Sequence, residues 1–326
     1  MDHIEFLNNI HKQYEAIRKE VAKVIIGQDE ILEALLIAFF SKGHAQLVGV
    51  PGLAKTMMIQ SLADVMDLRF RRIQFTPDLM PSDITGTEVI EENRQSGKRE
   101  FRFIKGPIFG NIILADEINR TPPKTQSALL EAMQEQQVTA AGTSYVLEAP
   151  FFVLATQNPI EQEGTYPLPE AQLDRFMFQL NVGYPSAEEE KEIVTRTTGS
   201  ATVSLKKIIS REELIKIQKL VSNLPVAEHV VDYAVNMVRS TRPAGSEIPM
   251  VKDYVKWGAG PRASQYLIIA AKTRAALLGK MTPDEEDVNA VVPQVLRHRI
   301  LRNFKAEADG VSMEDMIKQL IKVHHA

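Results

Sequence analysis

The most informative segment of the chain for its fold is Gly49-Val50-Pro51-Gly52-Leu53-Ala54-Lys55-Thr56. It follows a short apolar run, Gln46 to Val48, and precedes a helical pattern from Lys55 to Met66. A glycine-containing loop in that context turns backbone N–H groups onto phosphate oxygens at a helix N-terminus. The lysine then bridges the β and γ phosphates, and the following hydroxyl binds Mg²⁺. The stretch therefore predicts a phosphate-binding loop, and the alternative is a strand-to-helix turn rich in small residues.

One position of this loop departs from the usual pattern. Glycine is usual immediately before the lysine, and Ala54 stands there instead. Glycine enters left-handed backbone conformations without a steric penalty, whereas alanine does not. The sequence therefore leaves open whether the loop requires a left-handed residue or a close approach at this position.

A second apolar strand ends in two adjacent carboxylates. Asn111 to Ala115 is followed directly by Asp116 and Glu117. Two neighbouring acids repel each other, and a bound Mg²⁺ ion removes that cost. We expect Asp116 to hold the metal and Glu117 to polarise a water for attack on the γ-phosphate. The alternative is a helix N-cap formed by Asp116.

A third apolar strand, Phe151 to Thr156, is followed by Asn158. A neutral amide can hydrogen-bond both water and phosphate without adding charge to the site, although an Asn-Pro pair also fits an ordinary turn. Proteins with parallel sheets bind ligands beyond the carboxyl ends of the strands. The polar residues that follow these three strands are therefore predicted to line one shared crevice.

The pattern along the chain changes between Gly183 and Ser186. Strands and helices alternate before this point, which predicts an α/β nucleotide-binding core over residues 1–185 with a parallel sheet. Two inserted β-hairpins are expected in it, and each is either surface decoration or a loop that touches a substrate or partner. They span Thr85 to Ile104, with Asn93, Ser96 and Gly97 at its tip, and Gln137 to Leu147, with an Ala141-Gly142 turn.

Helical spacing dominates after the boundary, which predicts an all-helical lid domain over residues 186–326. The helical patterns cover Glu188 to Thr198, Arg211 to Leu224, Ala227 to Thr241, Ser264 to Leu278 and Pro283 to His298.

Composition excludes several classes of protein. The 38 basic and 42 acidic residues give no electrostatic reason to expect a nucleic acid or a membrane as partner. The chain has no cysteine, and no apolar run approaches the ~20 residues of a membrane span. Residues Met1 to Glu20 lack the apolar core of a signal peptide, so we expect a cytoplasmic protein.

The histidines and a small cluster of arginines are not assigned to a binding site. The seven histidines lack metal-ligand spacing. Arg69, Arg71 and Arg72 form a small basic cluster on a predicted strand, and they are expected on the solvated surface rather than on nucleic acid.

The motifs together resemble the AAA+ ATPases, and more closely their MoxR group, over essentially the whole chain. The segments that carry the resemblance are Gly49 to Thr56, Ala115-Asp116-Glu117-Ile118-Asn119-Arg120, Ala155-Thr156-Gln157-Asn158-Pro159 and Pro169-Glu170-Ala171-Gln172-Leu173-Asp174-Arg175-Phe176. Alanine at position 54 is similar to the pattern of this group.

The resemblance implies roles for individual residues. ATP would be held by Ile26, Gly27, Gly49, Val50, Pro51, Gly52, Leu53, Ala54, Lys55, Thr56 and Met57, and Mg²⁺ by Thr56 and Asp116. Glu117 and Asn158 would act on the attacking water. Arg175 resembles an arginine finger reaching a neighbouring subunit, although a salt bridge with Asp174 or Glu170 is the alternative.

Arg262 resembles sensor 2, a lid residue that couples nucleotide state to the angle between domains. It opens a helix, where a cation opposes the helix dipole at a cost of ~0.3 to 1 kcal/mol, and a nearby triphosphate would explain why it is tolerated. Arg120 follows the carboxylates closely enough to face a subunit boundary, but it is interpreted as an ordinary surface arginine.

The resemblance also implies an assembly and a function. Similar proteins form homo-oligomeric rings, usually hexamers, and act with von Willebrand factor A domain proteins. A chaperone-like remodeller that assembles complexes or inserts metal cofactors is therefore expected. The alternatives are a nucleotide-gated binding module with negligible turnover, a DNA-remodelling motor and a chelatase motor.

Overall fold

The computed structural model describes residues 3–92, 99–140, 142–160, 164–198 and 203–325. Two compact units make up the chain. The helical unit contains residues 1–45, 170–180 and 212–326, and the sheet unit contains residues 46–169 and 181–211. Over the described ranges, no helix is both long enough and apolar enough to cross a membrane.

The helices and strands alternate in the first half of the chain, as predicted. The helices are α1 His3–Val21, α2 Asp29–Phe40, α3 Lys55–Val65, α4 Pro81–Thr85, α5 Pro123–Glu135, α6 Glu170–Leu173, α7 Ala187–Thr197, α8 Arg211–Asn223, α9 Glu228–Ser240, α10 Pro249–Tyr254, α11 Pro261–Leu277, α12 Glu285–Leu296, α13 Phe304–Ala308 and α14 Met313–His325, with a 3₁₀ turn at Ile118–Arg120. The strands are β1 Ala45–Gly49, β2 Phe70–Gln74, β3 Gly86–Glu92, β4 Arg99–Lys105, β5 Ile112–Asp116, β6 Gln137–Ala140, β7 Thr143–Val146, β8 Phe152–Gln157, β9 Phe178–Val182, β10 Val255–Trp257 and β11 Leu301–Arg302.

The central sheet has five strands in the order β2-β5-β8-β1-β9. β5 runs parallel to β2, with Asp116 opposite Gln74, and parallel to β8, with Ala115 opposite Ala155. Residues 112–115 of β5 are completely buried, which is why this strand is an unbroken apolar run rather than an alternating one. Parallel strands end at the same edge, so the polar residues that follow β5 and β8 are brought together.

Both predicted hairpins are present. β3 pairs antiparallel with β4, and β6 pairs antiparallel with β7. The Phe103 ring of the first hairpin stacks on the Tyr145 ring of the second, with 4.2 Å between the ring centroids. The predicted tip residues Asn93, Ser96 and Gly97, and Ala141 of the second turn, lie outside the described residues.

The helical unit is built around α11, which packs against α1, α2, α9 and α12. Its core includes the fully buried carboxylate of Asp287, which accepts hydrogen bonds from Arg274 and Lys280. Two charged partners make this burial tolerable. A short antiparallel pair, β10 with β11, adds to the helices predicted for the C-terminal part, and strands of three and two residues are too short to leave a periodic pattern.

The packing also groups residues that are distant in sequence. Residues 170–180 belong to the same compact unit as the C-terminal helices, although they precede the predicted boundary between Gly183 and Ser186. The boundary itself, a division into residues 1–185 and 186–326, stays a prediction.

Candidate nucleotide site

The predicted phosphate-binding loop joins β1 to α3. Gly49 ends β1 in close contact with the backbone of Val182, because a Cβ atom at position 49 would lie 2.7 Å from the Val182 carbonyl oxygen. Gly52 has a φ of +86° and open space where a Cβ would be. The loop therefore needs glycine at one position for packing and at the other for a left-handed turn.

Ala54 adopts the left-handed conformation that the sequence left open. Its φ is 53° and its ψ is 20°, immediately before α3 begins at Lys55. The loop thus requires a left-handed residue there, and alanine accepts the steric strain, which costs roughly 1–2 kcal/mol. Strain of this kind is retained where the surrounding structure and the site depend on it.

Lys55 is placed at the start of α3, where its ammonium group faces the loop. Nζ donates a hydrogen bond to the Gly49 carbonyl. Burial lowers the pKa of Lys55 below its ordinary value of 10.5, while the carboxylates of Asp116 and Glu117 act in the opposite direction. The amine and both carboxylates line the same cavity, which is the arrangement expected of a cation that binds phosphate beside a metal ion.

Thr156 holds the two predicted carboxylate residues in fixed positions. Its hydroxyl donates to Asp116 Oδ1 over 2.6 Å and accepts from the backbone N–H of Glu117 over 2.8 Å. Glu117 is itself left-handed, with a φ of 57°. The buried Thr156 hydroxyl thus fixes the Asp116 carboxylate and the strained backbone of Glu117 at the end of β5.

Three residues of the site were missed by the sequence analysis. Arg72 donates to Asp116 Oδ2 over 2.6 Å, and Gln74 donates to Glu117 Oε2 over 2.9 Å. Both lie near the end of β2, and Thr156 completes the set from β8. Arg72 is half exposed, as expected for the basic cluster, but it faces the carboxylate rather than solvent alone. Only the order β2-β5-β8 makes these strands neighbours, so the local sequence carries no signal for the contacts.

Arg120, interpreted from sequence as a surface arginine, also reaches the site. Its Nη1 donates to Glu117 Oε2 over 3.0 Å, while 43% of its side chain stays exposed. Glu117 therefore receives hydrogen bonds from both Gln74 and Arg120. These two contacts orient the carboxylate that is expected to polarise water.

One cavity of about 450 Å³ in the sheet unit brings most of the predicted residues together. Asn158, whose Oδ1 accepts from the Ile160 N–H over 3.1 Å, lines one side. The predicted residues that line it are Gly49, Pro51, Gly52, Leu53, Ala54, Lys55, Thr56, Met57, Asp116, Glu117 and Asn158. A hydroxyl and a carboxylate are the hard oxygen ligands that Mg²⁺ prefers, so Thr56 and Asp116 fit the predicted metal.

Val50, also predicted to hold ATP, lies in the loop of the sheet unit but does not line this cavity. The other predicted residues belong to the helical unit. Ile26 and Gly27 precede α2, Arg175 follows α6, and Arg262 lies in the first turn of α11. Arg262 Nη1 lies 3.4 Å from Asp174 Oδ2. This carboxylate offsets the unfavourable position of a cation at a helix N-terminus, so a triphosphate is not needed to explain why Arg262 is tolerated there.

The burial of His298 in the helical unit should make the protein less stable at low pH. Nε2 donates to the Phe176 carbonyl over 3.0 Å, and burial with the nearby charges of Arg299 and Arg297 lowers the pKa of His298 well below 6.5. Below pH 6.5 the His298 imidazole becomes protonated in the unfolded chain but stays neutral in the folded chain. The free energy of unfolding should therefore fall by up to ~1.4 kcal/mol per pH unit as pH decreases from 6.5.

Urea unfolding between pH 7.5 and 5.5 measures this dependence. His298→Gln keeps an amide donor for the Phe176 carbonyl and cannot titrate, so its unfolding free energy should change less with pH than that of the parent. His229→Gln removes an exposed histidine as the control. Equal pH dependence in the parent and His298→Gln would contradict the assignment.

Comparison with known proteins identifies the family of this chain. The family model described as "ATPase family associated with various cellular activities (AAA)" matches residues 44–178, and the AAA lid domain model matches residues 249–320. The protein named Chaperone MoxR1 of Mycobacterium tuberculosis is 47% identical over 93% of this chain and 79% of its own length. Protein MoxR of Methylorubrum extorquens is 31% identical over 86% of this chain and 85% of its own length.

A solved structure agrees with the fold. The crystal structure of a "putative ATPase" from Cytophaga hutchinsonii superimposes with a TM-score of 0.90 at 42% identity, covering 98% of this chain and 96% of the other. The matched lengths include both the sheet that carries the phosphate-binding loop and the C-terminal helices. This chain belongs to the MoxR family of AAA+ ATPases.

Proposed function

We propose that the chain binds Mg-ATP in the cavity of the sheet unit and hydrolyses it to ADP and phosphate. The observation that carries the proposal is the convergence of Lys55, Asp116 and Glu117 on one sheet edge, with Thr156 bonded to both carboxylate residues. A phosphate-binding cation beside two separately oriented carboxylates is the chemistry that phosphoryl transfer to water needs.

Each group has a separate task in this proposal. The backbone N–H groups of the loop would bind phosphate oxygens, and the Lys55 ammonium would exchange its hydrogen bond with the Gly49 carbonyl for one with the β and γ phosphates. Thr56 and Asp116 would hold Mg²⁺, which neutralises charge on the phosphate oxygens when bound. Glu117, oriented by Gln74 and Arg120, would take the proton of the attacking water, and Asn158 would position that water.

The proposal extends to a homo-oligomeric ring, with six subunits as the expected number. Arg175 would act in the site of a neighbouring subunit, where a planar cation stabilises charge on the transferring phosphoryl group. Arg262 would respond to the nucleotide as sensor 2. The support for both roles is the family membership, and for Arg175 also the motif that ends in Arg175-Phe176.

A chaperone-like remodelling role with a von Willebrand factor A domain protein as partner completes the proposal. Its clients would be protein complexes that need assembly or insertion of a metal cofactor. The support is that the similar protein of M. tuberculosis is named a chaperone. The net charge of −4 gives no reason to expect nucleic acid as the substrate.

The first test is steady-state Mg-ATP hydrolysis over a range of protein concentrations. We expect the rate per subunit to rise with concentration, because a site completed by a neighbour needs an assembled ring. Lys55→Ala should lose nucleotide binding and hydrolysis, since it removes the cation that faces the phosphates. Lys191→Ala, which removes an exposed lysine of α7, should behave as the parent.

Two outcomes would overturn parts of the proposal. Hydrolysis by Lys55→Ala at the parent rate would show that the cavity is not the ATP site. A rate per subunit that is flat with concentration, down to concentrations where sedimentation shows monomers, would remove the shared site and leave hydrolysis within one chain.

A further inference from the structure

Arg299 holds the backbone of the segment that carries Arg175. Its Nη2 donates to the carbonyl oxygens of Asp174 over 3.0 Å and Phe176 over 2.6 Å, and its Nη1 donates to that of Met177 over 3.2 Å. These residues lie between the end of α6 and the start of β9, where neither helix nor sheet supplies partners for their carbonyl groups. One guanidinium group therefore contacts the backbone on both sides of Arg175.

The carbonyl of Arg175 itself is bonded by a different residue of the helical unit. The Tyr266 hydroxyl of α11 donates to it over 3.2 Å. The Arg299 guanidinium lies over the Tyr266 ring, 5.0 Å from its centroid. The carbonyl groups of four consecutive residues, 174–177, thus all accept hydrogen bonds from side chains of the C-terminal part of the same unit.

The side chain of Asp174 adds a second connection. Its Oδ1 accepts from Arg299 Nε over 2.7 Å, and its Oδ2 lies 3.4 Å from Arg262 Nη1. Asp174 therefore joins the segment of the proposed arginine finger to the proposed sensor 2 residue. Arg299 Nη1 also donates to the Val295 carbonyl near the end of α12 over 2.5 Å. A planar donor fork that bonds one carboxylate and three carbonyls of a single segment has a geometry that a lysine cannot reproduce.

A buried arginine is not needed merely to provide hydrogen-bond donors for these backbone carbonyls. Only 2% of the Arg299 side chain is exposed, and burying a guanidinium group is costly unless it is paired. Neutral donors such as an amide would satisfy individual carbonyls at a lower desolvation cost. The use of a buried cation at this place indicates that a fixed geometry of the segment matters.

We propose that Arg299, assisted by Tyr266, is a positioning residue that fixes the Arg175 segment so that the finger can reach a neighbouring subunit. This inference rests on the proposed shared site. Arg299 does not touch nucleotide in this role and acts only through Arg175. Its substitution should therefore misplace the Arg175 side chain that a subunit contributes to its neighbour's site. The subunit's own nucleotide cavity should stay intact.

Subunit mixing distinguishes this role from a structural one. Arg299→Lys should bind a fluorescent ATP analogue like the parent but hydrolyse ATP at least about 10-fold more slowly, because misplacement by an ångström is enough for such a loss. Mixed with Glu117→Gln, which keeps an intact finger segment and lacks the proposed base, it should hydrolyse several-fold faster than either alone. Mixed with Arg175→Ala, which lacks the finger itself, it should show no gain.

Two further variants complete the test. Arg274→Lys alters a second largely buried arginine of the helical unit, which bonds Asp287 and not the segment, and it should keep the parent rate. Tyr266→Phe removes one hydroxyl and keeps the ring, so it should show a smaller loss with the same pattern of rescue. If thermal unfolding shows that Arg299→Lys does not fold, the Tyr266→Phe variant tests the positioning role in its place.

The outcomes separate failure of this inference from failure of the proposed function. A parent-like rate for Arg299→Lys, with Arg175→Ala inactive, overturns the positioning role alone. Rescue of Arg299→Lys by Arg175→Ala instead of Glu117→Gln also overturns it, because the defect would then lie in the subunit's own cavity. A parent-like rate for Arg175→Ala overturns the shared site and the inference that rests on it.

Discussion

Glu117→Gln should lower the turnover of ATP by ~10²- to 10⁴-fold and leave nucleotide affinity within about twofold of the parent. The substitution removes the proton acceptor and retains the size of the side chain. Lys55 and Asp116, which are expected to bind phosphate and metal, are unchanged, so binding should survive. Single-turnover hydrolysis and titration with a fluorescent ATP analogue measure the two quantities separately.

The control for this substitution is Glu131→Gln, which changes an exposed glutamate of α5 outside the cavity. It should hydrolyse ATP as the parent does. Equal turnover by Glu117→Gln and the parent would mean that another group accepts the proton. If the parent itself turned over as slowly as the variant, a nucleotide-gated binding module would replace the hydrolase as the better description.

Arg175→Ala should reduce turnover by ~10³- to 10⁵-fold, the range over which an arginine finger acts. Nucleotide binding should remain, because Arg175 belongs to the helical unit and does not line the cavity of the sheet unit. Mixing with Glu117→Gln should partly restore hydrolysis at interfaces where an intact finger meets an intact base. Steady-state rates of the mixtures, corrected for the rates of the separate variants, measure this effect.

Arg196→Ala is the matched control, since it removes an exposed arginine of α7 that pairs with Glu192. Its rate should equal that of the parent. An unchanged rate for Arg175→Ala would favour the salt bridge considered from the sequence, and it would remove the action in a neighbouring site. Loss of activity without rescue by Glu117→Gln would place the defect within the variant subunit.

The sequence predicted the parts of the site that depend on neighbours along the chain. Lys55 and Thr56 follow a glycine loop at a fixed spacing, and Asp116 and Glu117 end an apolar strand, so local pattern and strand direction were enough. Both hairpins and the main C-terminal helices were likewise visible as periodic patterns. Ala54 was ambiguous because residue type alone does not fix a φ angle, and the structure shows the left-handed conformation.

Contacts between distant segments could not be predicted in this way. Arg72 and Gln74 reach Asp116 and Glu117 only because β2 lies beside β5 in the sheet, and Thr156 completes the site from β8. Strand order depends on how the whole sheet packs, and no local pattern records it.

The local sequence was enough to predict the candidates for binding phosphate, ligating Mg²⁺ and polarising water, because each task needs a particular functional group at a short and fixed spacing. The orientation of those groups, and the unit to which the Arg175 segment belongs, depend on long-range packing and were visible in the structure alone. Arg299 follows a helical pattern and has no motif of its own, yet its fork meets the carbonyls of Asp174, Phe176 and Met177 from more than 120 positions away. Packing brings such groups together, and burial makes their hydrogen bonds specific.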